Sequence, residues 1–484
     1  MTDRENEIWE LIQKKERAES REKALRLIAS GLAFFALAIF VASPLIQVFV
    51  RLIEQAGSEA WVYGSSNDST HNVKMYYGMI QYINVAVHFI AAVLYIYCIY
   101  TFIRDRKKLK EDILGNLGRI VPWMMFMLFA LGIVLVTAIR GANEYDLTGH
   151  PYMHESIYSY ILYAFAYFFC GMFLISQRAK RVLLYVMVFS AFPVNVLALV
   201  NNWFTPIKFF VGGGKTVAVF HNSNHYGYYL AVTIIVSALL LVYEKNLFLR
   251  IFSGVSAVTA LVSLIINNSL GPYLAVLAAL ICFLIFCLVW EKKKRLFAVL
   301  LLVGFAVITG LMSIKYDTVV SSLGTLGGDI GKIVSDPLAD ETAKAGSSRW
   351  RLWVNTVKNI PEHPILGFGV EGMLNTHGVG TPHNEVLQYA ENFGIPVTLL
   401  YIASCLLVLW RVFKRKLTVS RTALICFFAA ICYLVSSLVG VAIYYTTPFV
   451  FILLGLAYSE CLRPVPPETE KTPPEEPSAE ASSL

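Results

Sequence analysis

Residues 273–290 read YLAVLAALICFLIFCLVW and run straight into Glu291 and the basic group Lys292, Lys293, Lys294 and Arg295. At 1.5 Å rise per residue, an uncharged helix of this length covers most of a ~30 Å hydrocarbon core. Basic residues massed just beyond one end mark that end as cytoplasmic. Working outward, the same pattern recurs along the chain. Spans are predicted near Leu27–Val50, Met79–Ile103, Ile120–Ile139, Ile157–Ile175, Val182–Val200, Tyr226–Tyr243 and Ile251–Ile266 before this run. Leu296–Ile314, Pro396–Trp410, Thr422–Ala442 and Pro448–Cys461 follow it. The expectation is an all-α polytopic membrane helix bundle of about 12 transmembrane helices, with a partly helical extracytoplasmic loop domain. Eleven spans is the alternative, because the Pro396 span is short and the last two are nearly continuous.

Composition agrees. Hydrophobic residues make up 57% of the 484 and charged residues 15%, where soluble chains carry about 25% charged. Seven Lys or Arg precede the first span, and most of the other basic residues fall in alternate short loops. Both termini are therefore expected in the cytoplasm. The net charge of +7 reflects this asymmetry and does not point to nucleic acid. The organisation expected is a charged N-terminal segment (1–26), nine spans (27–314), a large outer loop (315–395), three spans (396–461) and a disordered Pro/Glu/Ser-rich tail (462–484). The eight cysteines lie in or at the ends of spans, so no disulfide framework or Cys-rich metal site is implied.

The loop from Lys315 to Ile395 is the place to look for chemistry. Its first part, Thr318–Gly346, is rich in Gly, Ser and Asp and reads as a mobile loop. From Ser347 the pattern turns helical, with Trp350, Trp353, Val354 and Val357 at i, i+3, i+4, i+7 until Pro361 and Pro364. A second helix is expected to open at His383 and to close before Gly394 and Pro396. Histidines follow the same side: His71, His150, His154, His221, His225, His363, His377 and His383 all fall outside, and only His88 lies within a span. Histidine suits proton transfer near neutral pH. The span interiors carry almost no charge, which argues against an ion-coupled transporter.

Ser348-Arg349-Trp350-Arg351-Leu352-Trp353, then Glu362-His363-Pro364-Ile365-Leu366-Gly367-Phe368-Gly369, then Pro382-His383-Asn384-Glu385-Val386-Leu387-Gln388 and Glu391-Asn392-Phe393-Gly394-Ile395-Pro396 occur in this order. This set resembles the O-antigen ligase and O-antigen polymerase superfamily, over roughly Lys215 to Tyr401. The resemblance implies a metal-independent, inverting glycosyltransferase without a cofactor. Such an enzyme moves a glycan from a polyprenyl-diphosphate-linked donor to a glycan, lipid or cell-wall acceptor hydroxyl at the outer face of the cytoplasmic membrane. It requires a base, cations for the leaving diphosphate and an apolar groove for the lipid. His383 is the candidate base, against the alternative of a polar residue opening a helix.

Arg349 is the candidate diphosphate ligand, since a guanidinium presents a planar fork to phosphate oxygens. Arg351 either shares that task or faces solvent. Asn224, His221 and Asn384 are candidate acceptor or glycan contacts. His221 and His225 share a helix face, but no third ligand follows at a spacing typical of zinc. Gly214-Lys215-Thr216 imitates the end of a phosphate-binding loop, but Phe209 stands where the first glycine is required. Lys215 remains a candidate second cation. One departure is clear. Where the family carries a Ser-Arg-Gly turn, this chain has Asn268-Ser269-Leu270-Gly271-Pro272, with Leu270 in the arginine's place. Lys215, Arg351 and Arg140 are the candidate replacements. Ligation and repeat-unit polymerisation share this chemistry, and a lipid-linked-glycan flippase or a silent scaffold are the rival classes.

Overall fold

The computed structural model describes residues 3–57, 69–105, 117–149, 155–174, 176–204, 218–220, 222–316, 319–339, 342–415 and 419–462. The expected disordered tail lies outside these residues from Arg463 onward, as do Lys215, His221, His150 and His154. Among the described residues the protein is all helical. The first half comprises α1 (Asp3–Gly57), α2 (Ser69–Arg104), α3 (Leu117–Arg140), the short α4 (Glu144–Thr148), α5 (Ile157–Met172) and α6 (Gln177–Trp203). The middle comprises α7 (Ser223–Tyr243), α8 (Leu247–Asn267), α9 (Leu270–Val289) and α10 (Arg295–Ser313). Then come α11 (Val319–Ser335), α12 (Arg349–Asn359), α13 (Gly372–His377), α14 (Glu385–Phe393), α15 (Ile395–Arg415), α16 (Arg421–Ser437) and α17 (Thr447–Tyr458).

Nine of these helices are long and apolar enough to cross a membrane, and α5, α16 and α17 are apolar but shorter. The protein is a multi-pass membrane bundle. Its centre is α7, enclosed nearly all round, whereas α10 turns most of its apolar surface outward. Around α7 pack α8, α9 and α16, while α17 joins α5 and α16 in one contiguous core. That core is unusually rich in tyrosine: Tyr160, Tyr163, Tyr226, Tyr229, Tyr389 and Tyr444 are all fully buried. A smaller separate core of Ile360, Met373, Val379 and Ala390, flanked by Phe368 and Leu387, holds together the segment between α11 and α15.

Two expectations are corrected. Thr318–Gly346 is not simply a loop: it contains the 17-residue helix α11. Leu326, Ile330, Ile333 and Val334 recur at helical spacing there and outweigh the four glycines. The predicted span Thr422–Ala442 stops short, because α16 ends at Ser437 and residues 438–446 run without regular structure, buried from Gly440 onward. Buried irregular backbone survives in a membrane only where protein groups take its hydrogen bonds. Here the Ala442 N–H donates to Gln388 Oε1 (2.8 Å) and the Ile443 N–H to Thr447 Oγ1 (2.8 Å).

Gly440 in this strap faces the Tyr228 ring of α7. A Cβ at Gly440 would lie 1.4 Å from the Tyr228 hydroxyl oxygen, so no larger residue fits. Gly440→Ala is expected to cost at least about 1–3 kcal/mol through overpacking. The readout is a lower thermal midpoint of the detergent-solubilised protein; an unchanged midpoint would mean the strap and α7 are not in this contact.

Candidate active site

The turn before α12 sets the first side chain. Ser347 and Ser348 both adopt left-handed backbone (φ 59° and 69°), which reverses the chain just ahead of Arg349 at the start of α12. Arg349 Nη2 donates to Asn224 Oδ1 at 3.2 Å. Asn224 lies in the first turn of α7, where Asn222 caps the helix by accepting the Asn224 N–H. The turn at 267–269 closes on the same place: Asn267 Nδ2 and Ser269 Oγ both donate to Ser223 O, and Ser269 Oγ also reaches Asn224 Oδ1 at 3.4 Å. The turn where the expected arginine is missing therefore still supports Arg349, through Ser269 and Asn224 rather than through a charge.

One helical turn beyond Arg349, Trp353 Nε1 donates to Pro382 O at 2.8 Å and fastens α12 to the segment carrying His383. The expected stripe on this helix is shifted, for Thr356 is fully buried and Val357 is exposed. His383 itself is in the left-handed region (φ 51°), uncommon for a non-glycine residue. The helix it was expected to open starts two residues later, with Asn384 as the cap: Asn384 Oδ1 accepts the Leu387 N–H at 3.1 Å. His383 Nδ1 is buried with no hydrogen-bond partner among the described residues. Burial, together with the nearby Arg349 charge, disfavours the imidazolium and lowers the His383 pKa to about 4. The ring is thus neutral near pH 7 with a vacant nitrogen, close to a guanidinium. Arg351, two residues along α12, is exposed.

Arg140 is engaged elsewhere. At the end of α3 its guanidinium donates to Leu366 O (3.1 Å), Asn392 O (3.0 Å) and Asp146 Oδ2 (2.6 Å). Asp146 is fully buried, and its two oxygens also accept the N–H groups of Asn143 and Val370. This pair pins the His-Pro-Ile-Leu-Gly turn to the membrane helices. Gly369 (φ 88°) leaves room for it, since a Cβ there would come within 3.0 Å of both Arg140 and Asn143. Sequence reasoning named Arg140 only as a spare cation and missed Asp146. The readable signal was Asn143-x-x-Asp146, which forms a capping box on α4.

Carboxyls buried around the site were also missed. Glu385, two residues after His383, is fully buried, with Oε1 accepting the Tyr389 and Tyr401 hydroxyls at 2.7 and 3.0 Å. Burial raises its pKa, and it raises that of Glu155, also buried, to about 8. Glu391 is likewise pushed up to about 8 by burial, with the neighbouring Glu371 adding to the effect. His363 and His377 flank the Phe368 ring, and His377 Nε2 lies 3.0 Å from Glu362 Oε2, apart from these groups. His88 lies in α2 with Nδ1 2.7 Å from Asn84 O. Asn384, Asn224, Arg349 and His383 are therefore placed by one interlocked set of elements. Lys215 and His221 fall outside the described residues.

Residues 255–402 match the family model Wzy_C, described as O-antigen ligase. The match ends one residue past Tyr401 but starts at residue 255 rather than Lys215, so Asn224 lies before it. No curated protein matches the chain.

Proposed function

With residues 255–402 matched to the O-antigen ligase family as the premise, we propose that this protein is a membrane glycosyltransferase of that type. It takes a glycan from a polyprenyl-diphosphate carrier and passes it to an acceptor hydroxyl, by ligation or, with a second glycan as acceptor, by polymerisation. Twelve spans, both termini in the cytoplasm and a site on the outer face complete the reading. The observation that carries it is the neutral His383 beside the Arg349 guanidinium, its Nδ1 without a hydrogen-bond partner among the described residues.

In this mechanism the acceptor oxygen attacks the anomeric carbon from the face opposite the diphosphate. The new C–O bond forms as the old one breaks, which inverts the centre. The electron pair of the broken bond goes to the diphosphate oxygen, and the acceptor proton goes to His383 Nδ1. Arg349 meets the charge growing on the diphosphate. Asn224 orients Arg349 and is the glycan-side neighbour. The Asn384 side-chain oxygen caps α14, which leaves its amide nitrogen for a glycan oxygen. Arg351, on the exposed side, and Lys215 are the candidates for the second cation, and His221 for a further glycan contact.

The test is transfer by the purified protein in lipid nanodiscs, with a synthetic polyprenyl-diphosphate oligosaccharide and a panel of glycan and lipid acceptors. Arg349→Ala is expected to cut turnover about 10²–10³-fold, the scale of losing one charge-stabilising donor. Unaltered turnover would remove Arg349 from the mechanism. A protein that instead moves the intact carrier-linked glycan across the bilayer without cleaving it would be the flippase.

The pH profile carries a separate expectation. His383 acts as base only when neutral, and its pKa is depressed, so lowering pH from 7 to 5 leaves it competent. The acid limb of kcat/KM is expected near pH 4, below the ordinary histidine value near 6.5. Removing the Arg349 charge relieves part of the depression, so residual activity in Arg349→Ala is expected to show an acid limb at higher pH. A limb that stays put would separate the two groups.

A further inference from the structure

The helix α11 presents three distinct faces. Successive residues turn by about 100°, so Ser322, Leu326, Asp329 and Ile333 form one side. These are the half-buried positions, and they pack toward the protein: Ser322 Oγ donates to Asn268 Oδ1 (3.3 Å), and Asp329 Oδ2 accepts the Gly346 N–H (2.8 Å). A quarter turn away, Leu323, Ile330 and Val334 are exposed, Val334 by 78%. Directly opposite those three stand Ser321, Thr325 and Lys332, which are polar and exposed. An exposed apolar edge facing away from an exposed polar edge is the pattern of a helix lying in a water–lipid boundary.

Position supports the same occupant. α11 begins five residues after Ile314, and Val303, Val307 and Leu311 of the preceding helix α10, with Ile314 just beyond its end, form an exposed apolar row. The exposed apolar edge of α11 thus follows shortly after another exposed apolar row in the chain. We propose that α11 is an in-plane membrane helix, with Leu323, Ile330 and Val334 seated at the acyl–headgroup boundary of the adjacent leaflet. Through the Asp329–Gly346 bond it ties the chain three residues before Arg349 to that lipid surface. This inference is independent of the transfer reaction.

The experiment places single cysteines at Ile330, Val334 and, as the opposite-face control, Lys332. Each is labelled with a polarity-sensitive fluorophore in the full-length protein in nanodiscs, with labelled parent protein as background. Strong quenching by phospholipids spin-labelled near the headgroup at 330 and 334, with aqueous iodide quenching only at 332, is the expected result. Iodide quenching at all three positions would overturn it. So would lipid quenching that is lost when polyprenyl phosphate is added, which would make the edge a donor-tail site. Shielding that grows with protein copies per disc would assign it to a second copy of the chain, and overturn it too.

Discussion

His383→Ala is expected to lower glycan transfer by about 10²–10⁴-fold, the range for removing a positioned general base. Three features make the loss specific. The residue sits in left-handed backbone just ahead of the Asn384 cap, so the turn places its Cα outside α14. Among the described residues its Nδ1 has no hydrogen-bond partner, so no hydrogen bond seen there is lost with the ring. Arg349 remains on Asn224, so carrier binding should survive while turnover falls. KM for the donor should therefore change far less than kcat, and carrier-linked glycan should accumulate in cells. The double variant with Arg349→Ala should lose less than the product of the two single effects, because both act on one transition state. Wild-type turnover in His383→Ala at matched membrane levels would sink the assignment.

Asp146→Ala is expected to be the most damaging change outside the reacting groups. The carboxylate is fully buried and takes three hydrogen bonds, one from the charged Arg140. Removing it leaves the largely enclosed guanidinium without its counter-charge, and breaking such a pair costs about 3–5 kcal/mol. The consequence should reach the site, because Arg140 also holds Leu366 O and, in the last turn of α14, Asn392 O. A lower thermal midpoint and reduced transfer should appear together, and Asp146→Asn, which keeps acceptor capacity, should lose less. Stability equal to wild type would mean the pair is not closed in the membrane.

Much of this was legible in the sequence because membranes make the apolar code simple. Residues 273–290 announce a span without any partner, and α9 covers them closely. Arg349 and His383 were legible through ordered motifs, and the structure joins them by way of Trp353 and Pro382. What was hidden depended on contacts remote in sequence. Asn224 reaches Arg349 across 125 residues and Asp146 reaches Val370 across 224, and neither pairing has a local signature. The strap at 438–446 was hidden because its residues are as apolar as a helix. Gly440 packed against Tyr228 and the side-chain acceptors for the Ala442 and Ile443 amides accompany the break in regular structure there. Glycine content likewise concealed α11, whose apolar period was present but diluted.

That strap also bears on the order of assembly. The Ala442 amide finds its acceptor in Gln388, a residue of α14 that leaves the ribosome more than fifty positions earlier. Until α14 is seated, the hairpin of α16 and α17 lacks the acceptor for this amide, and a buried amide left unpaired costs about 1–3 kcal/mol. α17 is only 12 residues, about 18 Å, and cannot reach across a bilayer alone. The C-terminal hairpin is therefore expected to settle late, once α14 with the Gln388 acceptor is in place. Lesions in α14 should then surface as turnover of the whole chain by membrane quality control, as well as lost chemistry.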